Sequence, residues 1–214
     1  VFLKVFNEMQ GYFGKQSHIA QFERDLDKRG IYGAFIEEFR RISEADWTHG
    51  REQSILERDN IAQAYASVTG TSVASADGIL DRYRASYQVS IEDFADLVND
   101  YINQQGSQFR LNFFVDEVGQ YIADNIKLMT NLQTIAESLA TKCRGRAWIV
   151  VTAQEDMNAV VGEMDAQQGN DFSKIQARFK TRMKLTSQDV AEVIQKRLLS
   201  KNKAGVKDLA YVYA

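Results

Sequence analysis

The stretch Phe109-Arg-Leu-Asn-Phe-Phe-Val115, followed at once by Asp116-Glu117, decides how the rest of the sequence is read. An apolar run of this length, rich in aromatic and β-branched residues, is what a buried strand requires. Two adjacent carboxylates cannot continue inside such a sheet, because burying an unpaired charge is very costly. The acids therefore belong where the strand emerges, at its carboxyl end. In open α/β sheets that margin is where ligands bind.

Working outward, Val118-Gly119 leads into a helical pattern of Ile122, Ile126, Met129, Leu132, Ile135, Ala136 and Leu139. It closes near Lys142 to Gly145, with basic side chains in the last turn, where the helix dipole favours them. Ala147-Trp-Ile-Val-Val151 is a second short run of strand character. A strand, a crossover helix and a second strand make a βαβ unit with parallel strands. That geometry brings Thr152 and Gln154 to the same sheet margin as Asp116 and Glu117. The whole arrangement resembles the Walker B element of P-loop ATPases, in which the Asp helps to hold Mg²⁺. In the AAA+ type the following Glu polarises the attacking water, and a polar residue at the end of the neighbouring strand acts as a sensor. Thr152 and Gln154 are the sensor candidates, with Gln154 preferred.

The totals fit a chain of this class. At 214 residues the sequence has room for one large domain or two small ones. A hydrophobic fraction of 44% with 26% charged residues is ordinary for a globular protein. The net charge of −3 gives no global electrostatic case for binding nucleic acid or a membrane. No apolar stretch approaches the roughly 20 residues of a membrane span. A single cysteine, Cys143, excludes an internal disulfide and fits the reducing cytoplasm. His18 and His49 are isolated and read as surface residues, not metal ligands. Proline is absent, where average usage would give about ten, and this favours uninterrupted helices.

Residues 1–106 read as helices joined by polar breaks. Val1, Val5 and Met9, with Phe2, Phe6 and Phe13, have helical spacing; so do Phe22 and Leu26, then Phe35, Ile36, Phe39 and Ile42. Glu52 to Val68 is a further amphipathic segment, and Thr71 to Gly78 reads as a loop. Ser90 opens the clearest helix, with Asp93 three residues on as the other half of a capping box and Ile91, Phe94, Val98, Tyr101 and Ile102 along one face. The charged groups Glu37-Glu38 with Arg40-Arg41, and Asp81-Arg82 with Arg84, read as a solvated face. Gly11-Tyr-Phe-Gly14-Lys15-Gln-Ser17 has the flavour of a phosphate loop. It lacks the four residues between glycines and the Ser or Thr directly after the Lys, and no strand precedes it. The sequence therefore holds no phosphate-cradling loop of its own.

Beyond Gln154, Gly162 and Gly169 mark a looped stretch. Phe172 to Met183 reads as a helix with Ile175, Phe179 and Met183 on one face and Lys174, Arg178 and Arg182 on another. Arg178 and Arg182 are candidates for an arginine finger, a group that accelerates hydrolysis roughly a thousandfold or more. The same basic strip could instead contact a DNA backbone. Met183-Lys-Leu185 is a possible third strand, and Thr186-Ser-Gln-Asp189 caps a last helix with Val190, Val193, Ile194 and Leu198 on its buried side.

The phrases LNFFVDEVGQYI, NLQTIAESLATKCRGRAW, VVTAQEDM, QQGNDFSKIQARF and MKLTSQDVAEVIQKRLL, with VFLKVFNEMQGYFGK near the start, together resemble the BrxC (PglY) family. These are the large P-loop ATPases of BREX bacteriophage-exclusion systems, and the resemblance covers nearly the whole chain. It implies an α/β fold: a helix-rich fragment of an AAA+/STAND-like ATPase core with parallel strands, carrying an all-α insertion over residues 1–106 and the distal half of the core over 107–214. It also implies ATP and Mg²⁺ as ligands of the intact protein and other BREX proteins as partners, with a homo-oligomer possible. Asp116 and Glu117 match the Walker B pair. The family's Walker A loop has no counterpart here, so the chain is expected to be a piece of a longer protein and to bind nucleotide poorly alone. Two other functions suit the pattern less well. One is a non-catalytic scaffold that binds DNA or partner defence proteins through Lys174, Arg178 and Arg182. The other is a metal-dependent nuclease, which needs further acids and a Lys that Ala147 to Gln154 does not supply.

Overall fold

The computed structural model describes residues 1–118, 126–152, 179, 181, 183, 190–198, 200–203, 205, 206 and 211. In chain order the elements are α1 (Phe2–Met9), α2 (Ser17–Lys28), α3 (Tyr32–Ser43), α4 (Trp47–Gly50), α5 (Arg58–Thr69), α6 (Val73–Ala76), α7 (Ile79–Ser86) and α8 (Ile91–Gln104). There follow β1 (Leu111–Val115), α9 (Ile126–Cys143), β2 (Ala147–Val151), α10 (Val190–Val193) and a π-helical turn, Ile194–Leu198. The described part is thus helix-rich, with a small parallel sheet of two strands.

The capping box at Ser90 forms as its sequence requires. Its hydroxyl accepts from the Asp93 amide at 3.0 Å, and the Asp93 carboxylate accepts from the Ser90 amide at 2.8 Å. Those reciprocal bonds satisfy amides that the helix cannot pair itself. They also hold the Asp93 carboxyl below its usual range. From there α8 turns Phe94, Ala95, Val98 and Ile102 inward. They meet Phe2 and Phe6 of α1, Leu111 and Phe113 of β1, and Ile135, Leu139 and Cys143 of α9. Phe6 sits at the centre, its ring 5.8 Å from Phe94 and 5.7 Å from Tyr101, both edge-on as aromatic quadrupoles prefer. This core draws on both sides of position 106, because α1 and α8 supply the cover for the sheet's inner face.

Arg146 joins α8 to the start of β2. Its guanidinium donates to the carbonyls of Ile102 and Gly106 and to Asn103 Oδ1, so it caps the carboxyl end of α8. Its own carbonyl accepts from the Leu111 amide at 2.9 Å, which opens the ladder. Just before it, Arg144 and Gly145 both take left-handed backbone (φ 48° and 77°), ending α9 and reversing the chain into β2. Pairing then runs Leu111↔Ala147 to Val115↔Val151 in parallel register, as the βαβ reading requires. Leu111 and Phe113 are buried, while Phe114, Trp148 and Val150 on the other face are exposed.

A second core lies among α2, α3, α4, α5 and α7, around Phe22, Phe35, Phe39 and Trp47. Its polar centre is Glu23, a fully buried carboxylate on α2. Glu23 accepts from the Phe13 amide, the Tyr32 hydroxyl, the Trp47 indole and the Arg51 guanidinium at 2.6, 2.9, 2.7 and 2.9 Å. Two further acids of α2 bind tyrosines from other elements: Asp25 takes the Tyr83 hydroxyl and Asp27 that of Tyr12. Burial pushes the tyrosine hydroxyls up, so they stay neutral donors. The two cores meet where Arg24, buried on α2, donates to Asn7 Oδ1 of α1 at 2.6 Å.

Three local expectations change. Residues 51–57 are turns and α5 starts only at Arg58, with Ile55 and Leu56 at 78% and 81% exposure. The Thr71 to Gly78 stretch holds a short helix, α6, because Ser72 caps it through the Ser75 amide and Ala76 packs into the small-residue contact with Ala62 and Ala66. Val190, Val193 and Ile194 stay 40–56% exposed, so the apolar spacing there marks a face without making it buried. Phe172 to Met183 as a helix and Met183 to Leu185 as a strand fall mostly outside the described residues.

Glu23→Ala strips the counter-charge from Arg51 and leaves the Trp47, Tyr32 and Phe13 donors buried and unpaired. We expect a loss of about 3–5 kcal/mol, the usual cost of breaking a buried pair. Denaturant unfolding followed by Trp47 fluorescence measures it; a loss below about 1 kcal/mol would contradict this role.

Candidate functional site

At the carboxyl end of the sheet the ladder runs one step past both strands. The Thr152 amide donates to the Val115 carbonyl at 3.0 Å, and the Val118 amide donates to the Thr152 carbonyl at 3.0 Å. Between these two bonds lies the acid pair. Val118 is buried and anchors the far side of the turn, while Asp116 is exposed and Glu117 half-buried.

Side chains close the same turn. The Glu117 amide donates to Asp116 Oδ1 and to Thr152 Oγ1, each at 3.1 Å. The Thr152 hydroxyl in turn donates to Asp116 Oδ1. This closed triangle holds Glu117 in left-handed backbone, φ 52°. A non-glycine residue there costs of order 1–2 kcal/mol, and such residues persist only where their surroundings over-determine them, often at functional sites.

Sequence reasoning named Asp116, Glu117 and Thr152 for this margin, and the structure brings all three into hydrogen-bond contact. Gln154, Lys174, Arg178 and Arg182 lie outside the described residues. The contact of Thr152 follows from the parallel register. Pairing Val115 with Val151 sets the very next residue, Thr152, against Asp116, and a β-branched hydroxyl with restricted rotamers is suited to that contact.

The resemblance implies Mg²⁺ at this margin. Mg²⁺ keeps several waters and takes one or two carboxylates together with substrate phosphates. Asp116 suits that demand: its carboxylate is exposed and both donors above meet Oδ1, so Oδ2 is the coordinating candidate. No group of three or more His, Cys, Asp or Glu side chains capable of holding a metal occurs among the described residues. Asp116 alone could contribute one carboxylate oxygen to such a cation.

The glycine-containing stretch Gly11 to Ser17 takes no part. It follows helix α1 where a phosphate loop follows a strand. Lys15 is committed to Glu52 at 2.7 Å, and the Phe13 amide to Glu23. His18 is half-buried, not a surface residue; burial, helped by Arg84, pulls its imidazole below the usual range. No described helix is long and apolar enough to cross a membrane.

No family model matches the chain, and no solved structure matches it. The chemistry of the site therefore rests on its geometry.

Glycine at position 117 relieves the left-handed strain but adds freedom to the unfolded chain. With about 1–2 kcal/mol recovered against 0.4–1 kcal/mol lost, Glu117→Gly should unfold at equal or slightly higher denaturant than the parent. A clear destabilisation, above about 1 kcal/mol, would mean that the Glu117 side chain holds the turn.

Proposed function

We propose that this chain supplies the Walker B half of an ATP-hydrolysing P-loop core, of the AAA+/STAND-like type, in a bacteriophage-exclusion system of the BREX kind. One observation carries the reading: an Asp-Glu pair at the carboxyl edge of a parallel strand, tied to the first residue beyond the adjacent strand. That edge is where open α/β sheets bind ligands. The BREX assignment rests on the resemblance of those long phrases to the BrxC (PglY) family, and partners among other BREX proteins would follow from it. The reading requires a phosphate-cradling loop that residues 1–214 do not supply.

In this reading Asp116 would hold Mg²⁺. What the cation supplies when bound is neutralisation of charge on the transferring phosphoryl group. Glu117 polarises the attacking water as a general base. The turn holds the Glu117 backbone in one conformation before substrate arrives, as preorganised sites do. Arg178 and Arg182 are the proposed arginine-finger candidates, and Gln154 a further polar group for the water.

General-base groups contribute typically 10²–10⁴-fold. In the full-length protein, Glu117→Gln should therefore lower ATP turnover by about a hundredfold or more while ATP affinity stays within about threefold. Steady-state hydrolysis and equilibrium nucleotide binding check it. Undiminished turnover would refute the role of Glu117.

A further inference from the structure

Thr152 stands where a sensor would touch the nucleotide, yet its hydrogen bonds point elsewhere. A hydroxyl has one proton and two lone pairs. The proton goes to Asp116 Oδ1, and one lone pair accepts from the Glu117 amide. Only an acceptor lone pair remains, and that is of no use towards a phosphate oxygen. The backbone of the same residue pairs with Val115 on one side of the acid turn and Val118 on the other. Its side chain cannot swing out to a ligand without giving up both acid contacts.

We infer that Thr152 is a positioning residue for the acid pair and not a contact to nucleotide. It fixes the Asp116 carboxylate with one oxygen occupied and the other presented, and it holds the Glu117 backbone in its left-handed conformation. The role of Asp116 and Glu117 in nucleotide chemistry is taken from the function proposed above; the positioning itself is a property of the turn.

Two substitutions separate hydroxyl from shape. Thr152→Val keeps the branched side chain, and Thr152→Ser keeps the hydroxyl. In this chain, amide exchange of Glu117 followed by NMR should quicken by up to about tenfold in Thr152→Val, the size of one lost hydrogen bond, and return to the parent rate in Thr152→Ser. In the full-length protein, Thr152→Val should raise the Mg²⁺ concentration for half-maximal turnover several-fold. ATP affinity at saturating Mg²⁺ should not change, and Thr152→Ser should restore the Mg²⁺ dependence. Unchanged Glu117 exchange in Thr152→Val, or faster exchange in Thr152→Ser, overturns the inference. So does weaker ATP binding at saturating Mg²⁺ with the Mg²⁺ requirement intact, since that is the signature of a nucleotide contact. Should Glu117→Gln retain full turnover, the ATPase reading falls while the exchange measurement still decides the positioning role.

Discussion

The parallel pairing of β1 with β2 is the constraint on which the candidate site depends. Its register sets Val115 beside Val151 and so brings Thr152 to the acid turn. A slip of one residue would turn every side chain of a strand to the other face. It would send Thr152 away from Asp116 and expose Leu111 and Phe113. The apolar contacts of α1, α8 and α9 with the inner face therefore fix the chemistry of the margin as well as the packing. Arg146 contributes at the other end of the ladder, where it locks the end of α8 to the first paired residue.

The helical unit is organised by a different device. Glu23 collects donors from the α1–α2 loop, α3, α4 and the turn after α4, which no apolar side chain could do. A buried carboxylate with four donors is satisfied, and so it specifies one arrangement of those segments. Arg24 carries the link onward to Asn7 and hence to α1, which covers the sheet. The outer sheet face is less complete. Parallel sheets are as a rule covered on both sides, yet Phe114 and Trp148 stand 78% and 57% exposed.

Much of this was legible in the residues alone. Apolar spacing located α1, α2, α3 and α8, the Ser90–Asp93 box fixed the start of α8, and the two apolar runs became β1 and β2. The adjacent acids announced the end of β1, because charge cannot continue into a sheet. What the sequence hid were contacts between distant residues. Glu23 looks like any helix acid until Tyr32, Trp47 and Arg51 converge on it. The contact of Thr152 with Asp116 became visible only through the strand register. The left-handed backbone of Glu117 has no compositional mark at all, since glycine, the usual signal, is absent there. Conversely, the helical spacing of Val190, Val193 and Ile194 promised burial that those side chains do not have.

The central claim is that Asp116 ligates a divalent cation bound together with nucleotide. It is tested most directly by electron-nuclear hyperfine spectroscopy on the full-length protein, loaded with Mn²⁺ and a non-hydrolysable ATP analogue and labelled with ¹³C at aspartate carboxylates. The account predicts a carboxylate carbon coupling of direct-ligand size, for a metal–oxygen distance of about 2.1 Å as for Mg²⁺, that disappears in Asp116→Asn. A coupling that persists in that variant, or none in the parent, would contradict it.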